Sequence, residues 1–158
     1  MPTATYTPLA TVTLGTAVSS VSFSAIPASY RDLIFVFSGV VSAGGGEVLR
    51  VNFNGDTTSG NYSAVFANGD GSTTASGTDA RRFGLMYASR SQTVASFMDY
   101  SATDKHKTYL SRTGGASNAL EMIAGRWANT AAITSIRVFP DANGFASGST
   151  LSLYGVIS

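Results

Sequence analysis

The chain contains no cysteine, a single histidine and few charged residues among its 158 positions. Without cysteine there are no disulfides, no thiolate nucleophiles and no thiolate metal ligands, and the redox compartment stays open. Lys, Arg, Asp and Glu make up 12% of the chain, about half the usual share in a soluble domain. Because so little charge protects poorly against self-association, we expect neighbouring subunits to cover much of the surface.

Further absences limit the possible partners. The net charge is +1 and the one basic run, 105–107, is short, so the chain lacks the clustered cations that nucleic acid requires. The longest strongly apolar run, 33–37, is far shorter than the roughly 20 residues that span a bilayer. The N-terminus shows no basic segment followed by an apolar stretch. We therefore expect no nucleic-acid partner, no membrane partner and no signal-directed export.

What the sequence does contain is alternation. Apolar residues recur at every second position in short runs, from Ala10 and Leu14 near the start to Leu151 and Leu153 near the end. A period of two places successive side chains on opposite faces of a strand. About ten such runs, at intervals of roughly 8 to 15 residues, predict an all-β chain. We expect a jelly-roll-like antiparallel β-sandwich that forms a single domain over 9–158.

Three segments depart from simple alternation. The apolar residues of 120–127 also fit a helical face, although the context favours a strand. The stretch 68–78 has no apolar side chain larger than alanine, which predicts a mobile or projecting loop. The polar segment 1–8, with two prolines, predicts an N-terminal arm that reaches a neighbouring subunit or a frayed terminus.

Apolar and aromatic residues supply the candidate contact surface. The run from Leu33 to Phe37 is apolar on both faces, so it forms either a central strand or a strand whose second face meets another subunit. Aromatic rings carry large buried area in cores and at interfaces. The candidate contact residues are Leu33, Phe35, Phe37, Tyr6 and Trp127.

No pattern of titratable residues indicates catalysis. His106 lies near Asp99 and Asp104 in the sequence, but the G-x-S-x-G motif of a nucleophile elbow is absent. An exposed histidine between two lysines on a polar strand face explains the same residues. We assign no catalytic and no cofactor-binding residue.

One oxygen-rich region is faintly similar to a calcium-binding loop. It contains Asp56, Asn68, Asp70 and Asp79. An EF-hand loop ends in a bidentate glutamate and lies between two helices, and neither feature is evident here. Tight turns require the same Asn, Gly and Asp residues, so we assign no metal site.

Five segments resemble parts of the small β-rich virion proteins of tailed bacteriophages, including cyanophages. Together they cover about half of the chain and reach from one end to the other. None of them is a catalytic signature, so no catalytic residue is carried over. The segments are IPASYRDLIFVF (26–37), RVNFNGD (50–56), MDYSATDKHKTYLSR (98–112), GRWANTAAITSIRVFP (125–140) and GSTLSLYGV (148–156).

The resemblance implies a structural protein of the phage particle, made in the host cytoplasm. The most plausible role is capsid decoration, in which a cement protein binds the major capsid protein and stabilises the lattice. The five candidate contact residues would then meet the capsid or another subunit. Because lattice decoration often follows threefold symmetry, we expect a homotrimer.

Two other functions stay open at this stage. A head or tail fibre component that binds a host glycan would need an exposed aromatic beside an amide, such as Trp127 with Asn129 or Tyr62 with Asn61. A polysaccharide hydrolase would need two carboxylates about 5 to 10 Å apart. The acidic residues lie mostly in turns, which makes the hydrolase the remote alternative.

Overall fold

A computed structural model describes residues 5–115 and 119–157, and within them the chain is built almost entirely of strands. The one helical element is a 3₁₀ turn at Ser59–Asn61, and no helix in the described residues is long and apolar enough to cross a membrane. The strands are β1 (Tyr6–Thr13), β2 (Val21–Phe23), β3 (Asp32–Gly39), β4 (Gly46–Phe53), β5 (Tyr62–Gly69), β6 (Thr74–Thr78), β7 (Arg82–Tyr87), β8 (Ser91–Met98), β9 (Lys107–Gly115), β10 (Leu120–Trp127), β11 (Ile136–Pro140) and β12 (Thr150–Val156).

The strands form two antiparallel sheets that pack face to face. The large sheet has the order β1-β12-β3-β8-β9-β10-β5-β6, and the small sheet has the order β2-β11-β4-β7. Every paired strand runs antiparallel to its neighbour. The predicted all-β, jelly-roll-like sandwich is confirmed, with more strands than the ten expected.

Alternation in the sequence becomes alternation between core and surface. In β3, Leu33, Phe35 and Phe37 are fully buried, whereas Ile34 and Val36 are half-buried on the other face. The doubly apolar run is therefore a central strand of the large sheet. Its buried side chains face the core, because the small sheet covers that face of the large sheet.

An aromatic cluster joins the two sheets at the centre of the core. Phe53 of the small sheet lies 5.5 to 6.1 Å, centroid to centroid, from the rings of Tyr62, Phe97, Tyr109 and Trp127 of the large sheet. Each such ring pair stabilises a protein by about 0.5 to 1.5 kcal/mol beyond the area it buries. One side chain of β4 thus contacts four strands of the opposite sheet.

A β-bulge changes the phase of β7. The sequence places Phe83, Leu85 and Tyr87 on one face, but the structure buries Phe83 and Met86 and leaves Leu85 and Tyr87 half-buried. The register with β4 shifts between Leu49 and Arg50. The extra residue moves all later side chains of β7 to the opposite face.

The prediction of a projecting loop over 68–78 is wrong for most of that stretch. Residues 68–69 complete β5, and β6 pairs with β5 from Val65 opposite Thr78 to Gly69 opposite Thr74. Asp70 builds the turn between the strands, because its Oδ1 accepts hydrogen bonds from the backbone N–H groups of Ser72 and Thr73. Backbone pairing needs no apolar side chain, so a polar segment can form a strand at the edge of a sheet.

The predicted N-terminal arm over 1–8 is also wrong where the structure describes it. Strand β1 begins at Tyr6, which pairs with Val156 of β12. Residues 1–4 lie outside the described residues. For 120–127, the structure confirms the strand and excludes the helix.

Candidate functional site

The outer face of the large sheet carries most of the large apolar side chains that the fold leaves exposed. We call Val65, Met98, Leu110, Leu120 and Met122 the outer patch. Their exposed fractions lie between 50% and 70%. In the described residues, the other exposed large apolar side chains are Tyr6 and Ile157, near the chain ends.

Strand register brings the outer patch together. Ala124 lies opposite Leu110 of β9 on one side and opposite Val65 of β5 on the other. Met122, two residues earlier on β10, faces the same way. Directly opposed side chains on one sheet face have their Cβ atoms about 4.5 to 5.5 Å apart. The patch is therefore continuous across β9, β10 and β5, and the sheet gives it a rigid backbone.

Two arginines stand in and beside the outer patch. Arg112 lies opposite Met122, and Arg126 lies opposite Thr108. Both side chains are exposed, and neither has an ion-pair or hydrogen-bond partner in the described part of the chain. The outward positions of β8, β9, β10, β5 and β6 include no Asp or Glu. The patch is apolar, and its positive charges have no counter-ion in the described residues.

Several charged residues elsewhere pair with one another. The guanidinium of Arg50 binds both Asp141 and Asp79, and these carboxylates raise the pKa of Arg50. Between the sheets, Arg82 Nη2 lies 2.6 Å from Glu121 Oε1. The same guanidinium stacks over the ring of Phe66, 4.0 Å from its centroid. The Arg82 contacts join a strand of the small sheet to two strands of the large sheet, so they stabilise the sandwich.

Glu121 is the most enclosed carboxylate among the described residues. Its side chain is fully buried, and its Oε2 has no hydrogen-bond partner among them. Burial raises the pKa of Glu121, and Arg82 opposes that shift. Because the carboxylate faces the interior and binds Arg82 of the small sheet, it helps to hold the two sheets together.

The two aromatic residues that a glycan-binding alternative would require are not at the surface. Trp127 and Tyr62 are 1% and 5% exposed, so neither ring can stack on a glycan. Trp127 Nε1 donates to Asp56 Oδ2 at 2.8 Å, and the Tyr62 hydroxyl donates to the backbone carbonyl of Asp56. The Trp127 hydrogen bond lowers the pKa of Asp56, helped by Asn61 and Thr58. Asp56 therefore ties the polar loop after β4 to the aromatic core.

The residues considered for catalysis form no linked set. His106 is exposed and makes no hydrogen bond in the described part of the chain. Asp99 forms an exposed ion pair with Lys105 at 3.2 Å, and Asp104 is exposed. Lys107 instead points inward, where its Nζ donates to the backbone carbonyls of Lys105 and Thr130, and burial lowers its pKa.

The oxygen-rich region does not converge on one point either. Asp56 binds Trp127, Asp70 caps its own turn, and Asp79 binds Arg50. Across residues 5–115 and 119–157, no three carboxylate, imidazole or thiol side chains gather as a metal site would require.

Four of the five predicted contact residues are unavailable for contact. Leu33, Phe35, Phe37 and Trp127 are between 0% and 1% exposed because they fill the chain's own core. Their assignment to a contact surface is therefore wrong. Tyr6 is exposed at 58%, but it lies in the edge strand β1, away from the outer patch.

The predicted contact residues do not include the outer patch, although the sequence contains a signal for it. In β10 both phases contain apolar residues, since Leu120 and Met122 alternate with Ile123 and Trp127. This pattern is the doubly apolar signature that drew attention to β3. The sequence alone does not show whether β3 or β10 has an exposed apolar outer face. That choice requires knowing which strand lies where the outer face of the sheet stays uncovered.

No family model and no curated protein matches the chain. Among solved structures, a galectin of Caenorhabditis elegans is similar over 90% of this chain and 94% of its own, with 9% identity and a TM-score of 0.37. An exo-inulinase of Aspergillus awamori is similar over 96% of this chain and 29% of its own, with 9% identity and a TM-score of 0.39. Sheep galectin-11 is similar over 85% and 95%, with 10% identity and a TM-score of 0.34. At these scores the likenesses carry no argument about function.

Proposed function

We propose that the chain is a structural protein of a phage particle, a capsid decoration protein that binds the capsid lattice through its outer patch. The observation that carries this proposal is the continuous apolar area on a rigid sheet, formed by Val65, Leu110 and Met122. Monomeric soluble proteins rarely expose large contiguous apolar patches, and those that do so use them for binding.

The shape of the site fits another protein better than a small molecule. The outer patch lines a depression on the sheet face, with Leu110, Met122 and Val65 in its walls, and this depression is open to solvent. Small ligands bind in concave sites that enclose most of their surface. An open apolar face instead matches the core of a protein–protein interface, which is apolar and depleted in charge.

The two arginines define the complementary surface. Arg112 and Arg126 would lose water on docking, and a buried charge without a partner is strongly destabilising. The capsid surface therefore presents carboxylates near the positions of these guanidinium groups, around an apolar centre. Arginine suits this role because its planar group binds a carboxylate through two parallel hydrogen bonds.

The resemblance to virion proteins of tailed phages is the basis for proposing the phage particle as the location and the capsid as the partner. It names the major capsid protein as the surface to be bound and the virion as the location. The low charge of the chain agrees with a protein whose surface is partly covered in its assembled state. The trimer stays a prediction from lattice symmetry.

The copy number of the chain in purified particles tests this function. Quantitative mass spectrometry should find a ratio to the major capsid protein near that of a lattice component. A handful of copies per particle would contradict the lattice role and favour a fibre or tail component. Absence from the particles would overturn the virion role altogether.

A further inference from the structure

A sandwich of two open sheets has four edge strands, and three of them are protected here. Strand β1 carries Pro8 and a bulge between Pro8 and Ala10. Strand β2 has only three residues. Short strands, proline and bulges are the means by which natural proteins prevent edge strands from pairing with other chains.

The third protected edge is covered by side chains. Strand β7 has a bulge, and its far side receives hydrogen bonds from β9. The Tyr109 hydroxyl donates to the carbonyl of Arg82 at 2.7 Å, and the Ser111 hydroxyl donates to that of Phe83 at 2.6 Å. An incoming strand would have to displace these contacts.

Strand β6 has no such protection. It reads TASGT, with no charge and no proline, and its pairing with β5 runs without a register shift. Four of its five residues are exposed. In the described part of the chain, no side chain or backbone group covers its far side with a hydrogen bond. Its free N–H and C=O groups are therefore open to a further strand.

We propose that β6 pairs with β6 of a second copy of this chain, antiparallel across a twofold axis near Ser76. A ring of copies would need a second open edge on each copy, and the other three edges carry a proline and a bulge, have only three residues, or are covered by side-chain hydrogen bonds. A twofold contact uses the same edge on both copies. The strand fits itself, since Thr74 faces Thr78 of the second copy and no charges oppose each other. The trimer expected from lattice symmetry would require a different contact.

The pairing has a consequence for the outer patch. Two large sheets joined at β6 form one continuous sheet, and the two outer patches lie on it side by side, through Val65 of the neighbouring strand β5 in each copy. If the outer patch binds the lattice as proposed, the dimer binds through two sites, and paired sites increase the overall affinity. The dimer itself does not depend on that function.

A single cysteine tests the contact directly, because the chain has none of its own. Residues opposed across antiparallel strands have Cα atoms about 4.5 to 5.5 Å apart, within the range a disulfide can bridge. Ser76→Cys should therefore form a covalent dimer on mild oxidation. Thr13→Cys is the matched control, since Thr13 is exposed on the other edge strand of the same sheet. Equal cross-linking of both variants would overturn the proposal.

Sedimentation velocity supplies the second test. The unmodified protein should sediment as a dimer, and Ser76→Lys should raise the dissociation constant at least about tenfold, because two like charges then face each other. Mixing Ser76→Lys with Ser76→Glu should restore dimers, whereas Thr13→Lys should have no effect. A monomer or a trimer for the unmodified protein, or dimers of Ser76→Lys as stable as before, would overturn the proposal. Loss of particle binding alone would leave these results unchanged and would count against the proposed function instead.

Discussion

The outer faces of the two sheets differ in how their side chains are satisfied. On the small sheet, Arg50 binds Asp141 and Asp79, and Arg137 stacks over Phe139 with 4.7 Å between its guanidinium and the ring centroid. On the large sheet, exposed apolar side chains surround arginines that have no partner in the described residues. The cited arginines of the small sheet thus contact groups of the chain itself, whereas Arg112 and Arg126 on the large sheet have no hydrogen-bond or ion-pair partner in the described residues.

The difference is invisible in the alternation of the strands. Both sheets direct one set of side chains into the shared core. The two sheets differ in their second set of side chains, which points away from the core. In the small sheet it includes charged residues within reach of opposite charges on neighbouring turns, and in the large sheet it includes Leu110, Met122 and Val65. Function is therefore expected where the second set is apolar.

The largest expected effect is a difference in the free energy of unfolding between substitutions at two neighbouring residues of β10. Ile123 is 3% exposed and Met122 is 70% exposed. Ile123→Ala should lower the free energy of unfolding by about 2 to 5 kcal/mol, because it removes buried methyl groups and leaves a cavity. Met122→Ala should change it by no more than about 0.5 kcal/mol. Urea unfolding of both variants measures this, and a similar loss for Met122→Ala would show that the outer patch is already covered in the free protein.

Asp56 tests the claim that polar groups inside the fold serve stability. Asp56→Ala should cost about 1 to 3 kcal/mol, because it leaves the buried indole N–H of Trp127 without a partner. The folded-state pKa of Asp56 is lowered, so its stabilisation is full above the unfolded value near 4 and is lost as pH falls through the folded value. Urea unfolding between about pH 2 and 7 should show a smaller acid loss in the variant, with Asp104→Ala as the control. An unchanged acid loss would contradict the role of Asp56.

The arginines of the large sheet should affect attachment to particles and leave stability unchanged. Arg112→Ala combined with Arg126→Ala should weaken attachment about tenfold and reduce its dependence on salt, because two interfacial ion pairs are lost. Co-sedimentation with capsids measures this effect. Arg137→Ala, on the small sheet, is the control, and an equal loss for it would contradict the assignment of the binding face.

The smallest effect is expected where neither face is involved. Asp99→Asn removes an exposed ion pair with Lys105, which contributes at most about 1 kcal/mol. Unfolding and particle attachment should both stay close to those of the unmodified protein. A clear loss of any activity on polysaccharide in this variant would revive the hydrolase alternative.

The fold could be predicted from the sequence because burial imposes a period of two. The spacing of Leu33, Phe35 and Phe37 predicts a strand with a buried face, and β3 lies where that spacing predicts. The bulge at Phe83 and the strand β6 could not be predicted, since each depends on backbone pairing with a neighbour rather than on side-chain pattern. The same holds for Tyr6, whose place in a sheet depends on β12, about 150 residues away along the chain.

For the candidate site, the sequence could predict that a covered surface exists but not which residues form it. Low charge indicated a covered surface, but the residues chosen for it were the most apolar, and these fill the core. Met122 and Leu110 look the same in sequence as core residues. Which phase of a doubly apolar strand is exposed depends on the width of the opposite sheet and on which strands it covers.

The most direct test of the account adds negative charge to each face in turn and measures binding to capsids that lack the protein. Leu110→Asp with Met122→Asp places two carboxylates in the outer patch, and Ser22→Asp with Ser24→Asp places two on and beside the edge strand β2 of the small sheet, where both serines are exposed. The first pair should weaken binding at least about a hundredfold, as substitutions at the centre of an interface do, while the second pair changes it less than about twofold. Equal binding by both pairs would contradict the assignment of the outer patch as the binding face.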